Sequence, residues 1–441
     1  MAFLARKDDL LETPTGAAAN LEGGFRLRLD ILEDWLLRVS IVPDKGMAVD
    51  RGWMIDPAGD LPWEGRERLS VEGFAAPGGR VEGNRLIGNA LRVTVEKAPL
   101  RLVVERATDD GWVTIAEDRP AGAYQWLPRS HLFQHWQARL PKDRHFGLGD
   151  KTGPLDRTGR RLRCLQVDSL GYDAESTDPL YKHVPFVIAE TPAADGGGGE
   201  ACGLLYDTLC ETTFDLGAEH SNYFPHYRHV VTADDTLIYH VIAGPRMRDV
   251  VPRLMRMTGL PHLPPRWSFG FAFTTMHHAD DPKAQAVMTG FAERCRADGI
   301  PISAIHSGSG YTTKEDGRRY VFTWNESKFP DRAAFFARLA ELGYKTCANV
   351  KPVLLTEHPD FAQAQREGWF IRREDGSPAI EMFWGGQGAS LDMTNPATID
   401  WWKKGNHRSG AWRRFLICLE RQQRSRTFRR DCHRRWFRQA S

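Results

Sequence analysis

The chain changes texture once, across Pro261-His-Leu-Pro264-Pro265, and this limits it to two unlike halves. Two adjacent prolines continue neither a helix nor a central strand, because neither donates a backbone hydrogen bond. Before this point the sequence reads as strands. Phe25–Ile31, Leu91–Glu96 and Leu100–Glu105 alternate apolar and polar side chains, the period of a half-buried strand. Pro77-Gly78-Gly79 and Gly83-Asn84 mark turns. Pro185–Glu190 and Ala201–Tyr206 flank Asp195 and a run of glycines, a hairpin with a flexible loop. Many strands with few helices predict a large β-sandwich.

After the prolines, strand and helix alternate. Trp267–Phe273 reads as a buried strand. Val287, Phe291 and Cys295 share one helical face, and Gly299 stops that helix before a strand from Ile302 to Ile305. Asp331 is placed to cap a helix carrying Phe335, Leu339 and Leu342. Gly343 closes it ahead of Lys345–Val350, and a short helix at Phe361–Glu367 ends at Gly368. Repeated β–α units predict a parallel sheet, open or closed into a barrel. About four units fit, where a full (β/α)₈ barrel needs roughly 250 residues.

Composition sets the outer limits. The hydrophobic fraction of 41%, with 14 Trp and 22 Phe, supplies apolar mass for large cores in two or more domains. The seven cysteines lack paired metal-ligand spacing and read as reduced thiols of a cytoplasmic chain. Neither a signal-peptide core nor a membrane-length apolar run is present. His277-His278 reads as part of an extended surface loop, where adjacent side chains point apart, and it lacks a third ligand in sequence, so no metal and no cofactor is expected.

From Asn406 to Ser441 there are eleven Arg, no Lys and two acids, Glu420 and Asp431, while the whole chain carries a net charge of +2. Arginines with interspersed Trp412, Phe415, Phe428, Trp436 and Phe437 are a pattern that holds nucleic-acid phosphates and stacks bases. Nothing in the body supports that reading, so no nucleic-acid partner is expected.

Several stretches together resemble glycoside hydrolase family 31, the α-glucosidase and α-xylosidase family. They are Phe146–Asp156 (FGLGDKTGPLD), Asp168–Asp173, Pro179–Phe186, Pro264–Gly270, Gly299-Ile-Pro301, Phe322-Thr-Trp324-Asn325 with Phe329-Pro330, Trp384-Gly-Gly386, Leu391–Pro396 and Trp401-Trp402. The resemblance covers residues 25–405. It implies a galactose-mutarotase-like β-sandwich over 25–255, preceded by an extension over 1–24. The first half of a (β/α)₈ TIM barrel follows over 262–405, then the aberrant arginine-rich tail, 406–441.

The resemblance also implies hydrolysis of α-glycosides with retention, by two carboxylates about 5 Å apart on different strand ends. The nucleophile belongs to a Trp-x-Asp-x-Asn-Glu type motif roughly twenty residues beyond Trp402. This chain has Leu419-Glu-Arg-Gln-Gln-Arg424 there. Written CTG GAA CGA CAA CAA CGA and read one base later, that stretch gives Trp-Asn-Asp-Asn-Asn. A reading frame lost after Gly405 is therefore the expectation. The chain then lacks both catalytic carboxylates, and neither Glu420 nor Asp431 is expected at a strand end. An inactive fragment follows; a non-catalytic carbohydrate-binding protein is the alternative.

Substrate-binding candidates come from the same comparison. Asp168 matches a loop aspartate that accepts sugar hydroxyls, against the plainer reading of a turn former. Trp384 matches an aromatic wall of the sugar pocket. Asp392 reads as structural support for a loop as much as a ligand. His306 with Ser307–Tyr311 departs from the family's Asp-x-Asp-Tyr, since Gly308 and Gly310 stand in place of the aspartates. Lys351 faces either the pocket or solvent. The expected partner is an oligosaccharide or glycoside, with homo-oligomers allowed and no membrane contact.

Overall fold

The computed structural model describes residues 3–62, 64–169, 171–193, 199–261, 263–373, 375–408 and 417–420, with backbone alone for 405–408 and 417–420. It divides into two compact units, Met1–Leu260 and Pro261–Ser441.

The first unit is an antiparallel β-sandwich. An eight-stranded sheet runs in the order Leu11–Thr13, Gly16–Leu21, Phe25–Glu33, Leu36–Pro43, Leu237–Gly244, Glu200–Tyr206, Phe186–Thr191 and Arg144–Gly147. A five-stranded sheet carries Leu91–Glu96 and Arg101–Thr108, and another carries Leu132–Ala138 and Tyr227–Thr232. Leu27, Leu29, Ile31, Val39 and Ile41 meet Val93, Val95, Leu102, Val104 and Phe133 in one buried core. The hairpin joining Phe186–Thr191 to Glu200–Tyr206 forms, and most of its loop (194–198) lies outside the described residues.

A polar chain crosses this core. Tyr124 and Tyr239 share a hydroxyl–hydroxyl bond of 2.7 Å, His135 Nδ1 meets the Tyr206 hydroxyl at 2.9 Å, and His135 Nε2 meets Asp118 Oδ1 at 2.9 Å. All five side chains are buried. Each buried polar atom that finds a partner avoids a desolvation cost of about 1–3 kcal/mol.

The outer face of the large sheet is not the solvated face its alternation predicts. Asp30 is fully buried and accepts from Arg38 Nε at 3.1 Å and Nη2 at 2.9 Å, and from Arg28 Nε at 2.8 Å. Arg38 also donates to the carbonyls of Arg68, Leu69 and Ser70 at 3.2, 2.9 and 2.7 Å. That segment straps the sheet, and its Met54, Ile55, Val71 and Phe74 pack on Leu32, Leu36, Phe186, Ile188 and Ile242. Loop backbone hides the charges, which period-2 reading cannot foresee.

In the second unit four strands pair in parallel in the order Phe271–Thr275, Ile302–Ser307, Lys345–Val350 and Ile417–Glu420. Helices Ala284–Ala297 and Arg332–Glu341 separate the first three strands, and Phe361–Arg366 and Pro396–Arg408 precede the fourth. Asp331 caps as expected, accepting from Ala334 N at 2.9 Å. Gly299, Gly343 and Gly368 close their helices at φ 68°, 85° and 71°, backbone that side chains rarely adopt. Ile305, Ala348 and Val350 face Met288, Ala292, Phe335 and Leu339 in the core. Trp324 anchors it edge-on to Phe329 at 5.4 Å and Phe336 at 5.8 Å.

Three expectations change here. Trp267–Phe273 is not one buried strand: Arg266–Phe269 forms a 3₁₀ turn, and Phe269 and Phe271 are exposed. The first strand pairs only with the second among the described residues, so its outer edge lacks cover. The buried stripe of the first helix is Ala284, Met288, Ala292 and Cys295, with Phe291 at its margin. Third, Ile417–Glu420 is a strand, with Glu420 opposite Val350 at its end, whereas the sequence argued against a strand end there. Asp431 lies outside the described residues, with most of the arginine-rich stretch.

Candidate functional site

The parallel strands end on one open recess of about 510 Å3, counting the solvent at its mouth. Strand direction explains its place. In β–α folds the loops after the C-terminal strand ends are free to diverge while the layers stay packed. Ser309 and Thr312 follow the second strand, Asn349 closes the third, and Lys351, Val353 and Leu355 come next. Arg319 and Val321 enter from the following loop, and Phe383, Trp384 and Gly385 from the turn between Ile380–Phe383 and Gly386–Ser390.

Trp384 sits at the tip of that turn and is 67% exposed, so it is no core residue. It lines the recess together with Phe383, Val353 and Leu355, and an indole is a large flat apolar surface. Asn349 supplies polarity. Its carbonyl accepts from the buried Tyr311 hydroxyl at 3.1 Å, which fixes the backbone. Its side-chain Oδ1 is buried without a hydrogen-bond partner among the described residues. An orphaned acceptor in a recess wall is a group that a ligand hydroxyl satisfies.

Arg319 is held rigidly. Its Nη2 donates to both oxygens of Asp280, at 3.1 and 2.9 Å, and its Nη1 to Ser309 Oγ at 2.5 Å. Asp280 ends the short helix Met276–Asp280, which also carries His277 and His278. The sequence placed those histidines in an extended surface loop; instead His278 packs its ring on Phe291, centroids 5.1 Å apart. Among the described residues no three His, Cys, Asp or Glu side chains gather to hold a metal ion.

Gly308 and Gly310 have a steric cause. A Cβ on Gly308 would lie 2.7 Å from the Thr275 carbonyl oxygen. One on Gly310 would lie 2.5 Å from both the carbonyl carbon and oxygen of Ala279, and closer still to Asp280 Oδ1. The helix Met276–Asp280 fills the space that side chains would need. No aspartate fits at either position without moving backbone, and the Asp280 carboxylate stands there instead, committed to Arg319.

Of the three sequence candidates in the second unit, Trp384 alone lines the recess. His306 lies on the second strand, opposite Cys347, on the sheet face shared by Asn349; burial lowers its pKa, which keeps the ring neutral. Asp392 is engaged locally: its Oδ1 accepts from Thr394 N at 2.9 Å and Thr394 Oγ1 at 2.6 Å, setting the turn before Pro396–Arg408. Asp168 is half-buried in a loop of the first unit. Lys351, open between pocket and solvent in sequence, lines the recess. Arg319, Asn349 and Phe383 were not singled out. The only signals were an arginine after the Asp316-Gly317 turn and an asparagine just before Lys351-Pro352.

A strand-built sandwich followed by a parallel β–α sheet, with an aromatic-walled recess where its strands end, is the layout of a sandwich-and-barrel protein. The chain belongs to glycoside hydrolase family 31. The family's N-terminal galactose mutarotase-like domain matches residues 26–215, and its TIM-barrel domain matches residues 261–412. The chain is 26% identical over 314 residues to alpha-glucosidase 2 of Bacillus thermoamyloliquefaciens, covering 70% of this chain and 37% of that one. It is 27% identical over 257 residues to an alpha-xylosidase of Emericella nidulans, covering 58% and 30%. Among solved structures, a Flavobacterium johnsoniae family 31 dextranase complexed with glucose superposes with a TM-score of 0.77 at 18% identity. That superposition covers 95% of this chain and 48% of the dextranase. The chain thus spans about a third of the curated relatives and about half of the solved one, and it holds the family's sandwich with part of its barrel.

Proposed function

We propose that the protein is a fragment of an enzyme of the α-glucosidase type, which hydrolyses O-glycosyl bonds with retention, and that residues 1–441 bind the sugar without cleaving it. The observation that carries the binding role is the recess itself. Trp384 offers a stacking face, Asn349 an unsatisfied acceptor, and both stand where the parallel strands end. Relatives named alpha-glucosidase and alpha-xylosidase support the reaction class. Asp168 and His306 are assigned to sugar hydroxyls and Asp392 to the loop that shapes the site.

The absence of turnover rests on the recess lining, which contains no carboxylate among the described residues. Retention needs two, one to attack the anomeric carbon and one to protonate the leaving oxygen. The arginine-rich stretch after Gly405 is read as a shifted frame of family sequence, and the gene's nucleotide sequence over codons 400–441 tests that. The buried free thiols Cys164, Cys202, Cys210, Cys295 and Cys347 support a cytoplasmic setting. No helix among the described residues is long and apolar enough to cross a membrane.

Calorimetry with isomaltotriose and maltotriose, beside release of 4-nitrophenol from its α-glucoside, tests the proposal. Saturable binding with no release is expected. Release above the buffer rate overturns the non-catalytic reading, and absence of binding overturns the site.

A further inference from the structure

The two glycines that follow Trp384 are glycine for different reasons. The turn between Ile380–Phe383 and Gly386–Ser390 has Trp384 and Gly385 at its tip, closed by the pairing of Phe383 with Gly386. Gly386 sits at φ 132°, in backbone that side chains rarely adopt. Gly385 does not take a left-handed φ, so its φ does not demand glycine. Contact does. A Cβ on Gly385 would lie 2.9 Å from Leu355 Cδ1, 3.2 Å from the Arg319 backbone nitrogen and 3.7 Å from Arg318 Cα, where ordinary contact needs roughly 3.5–4.0 Å. A leucine methyl can give way, but the Arg319 backbone is pinned. Arg319 bridges Thr313 in an antiparallel pair, and Lys314 N donates to the Arg318 carbonyl at 2.8 Å. The Arg319 guanidinium is itself bound to Asp280 and Ser309. The tip therefore rests on a fixed ledge, with Trp384 next to the point of contact.

We propose that Gly385 is a positioning residue for sugar binding. Its bare α-carbon lets the turn seat on Arg318 and Arg319, and that seat sets where Trp384 stands in the recess wall. A side chain at position 385 lifts the tip and displaces Trp384, while the strand pairs behind it keep their register. The inference rests on the recess being the sugar site and adds what aligns its stacking residue.

A double-mutant cycle on the full 441-residue chain tests it, read by titration calorimetry with isomaltotriose. Gly385→Ala is expected to weaken binding about threefold or more, within the range of coupling between residues in contact, and Gly385→Val to weaken it further. In the Trp384→Ala background, Gly385→Ala adds no further loss, because the residue it displaces is gone. A merely structural role gives the same loss in both backgrounds. Fluorine NMR of the unliganded protein labelled with fluorotryptophan supplies a readout without sugar: Gly385→Ala shifts the resonance that Trp384→Phe removes. Circular dichroism confirms that each variant folds. Parent-like binding by Gly385→Ala, an equal loss in both backgrounds, or an unshifted Trp384 resonance overturns the inference and leaves the sugar site standing. Failure of the parent chain to bind isomaltotriose overturns the site and the inference together.

Discussion

Gly310→Ala is the sharpest probe of why this site departs from its family. The added Cβ meets backbone as well as the Asp280 carboxylate, so swinging a side chain away does not clear it: the Ala279 carbonyl carbon and oxygen both lie 2.5 Å from its ideal position. Ordinary contact between such atoms needs roughly 3.4–4.0 Å, so the end of the helix Met276–Asp280 must retreat by about 1 Å. Forcing extra atoms into a packed site costs about 1–3 kcal/mol. Gly310→Asp adds a second carboxylate beside Asp280, and two acids at such range cannot both ionise cheaply. The aspartate variant therefore loses more stability than the alanine one, and removing the Asp280 charge in Gly310→Asp/Asp280→Asn recovers part of the excess. Urea unfolding followed by tryptophan fluorescence measures each step, because Trp324, Trp369, Trp401 and Trp402 are buried in this unit. The retreat also loosens Arg319, so binding of isomaltotriose weakens in parallel. Should Gly310→Asp unfold at the same urea concentration as the parent, the steric account of the missing aspartates is wrong.

Three other outcomes follow from the same geometry. Arg38→Met leaves Asp30 buried and three carbonyls unpaired, so the sandwich loses about 3–5 kcal/mol, the scale of a broken buried ion pair; a loss under about 1 kcal/mol in urea melts contradicts the strap. Trp384→Ala is expected to weaken isomaltotriose binding about tenfold or more, by analogy with base stacking on aromatic side chains, and to leave the unfolding midpoint in place because the side chain is exposed. Burial holds His145 and His240 down at about 3 and His229 at about 4, so the folded state disfavours their charged forms. Their stabilising contribution is full above the unfolded value near 6.5 and is lost as pH falls from there toward 3–4. Denaturation midpoints measured between pH 7 and 4 are expected to drop, less steeply in His240→Gln; a flat profile refutes the burial argument.

The sequence made the layers legible because helix and strand periods are local. Asp331 as a cap and glycines at the helix ends were readable, since each effect acts within a few residues. The outer face of the large sheet was not. Asp30 alternates like a solvated residue, and only the distant Arg38 and the strap at Arg68–Ser70 bury it. The recess divides the same way. Trp384 announced itself through its Trp-Gly-Gly setting, whereas Arg319 and Asn349 became visible only when separate loops met. Gly308 and Gly310 were legible as departures, but their cause, a helix pressing on them from residues 276–280, is a packing fact.

The polar chain through Asp118, His135, Tyr206, Tyr124 and Tyr239 joins strands of different sheets. Greasy surfaces alone would tolerate a slip of one against the other, at the cost of repacking. Here a one-residue slide strips five side chains of their counterparts at once, so the halves mate like a key cut for one lock position. The loops carried on this sandwich, Asp168's among them, inherit a fixed datum from that joint, and their chemistry can diverge without disturbing the alignment beneath.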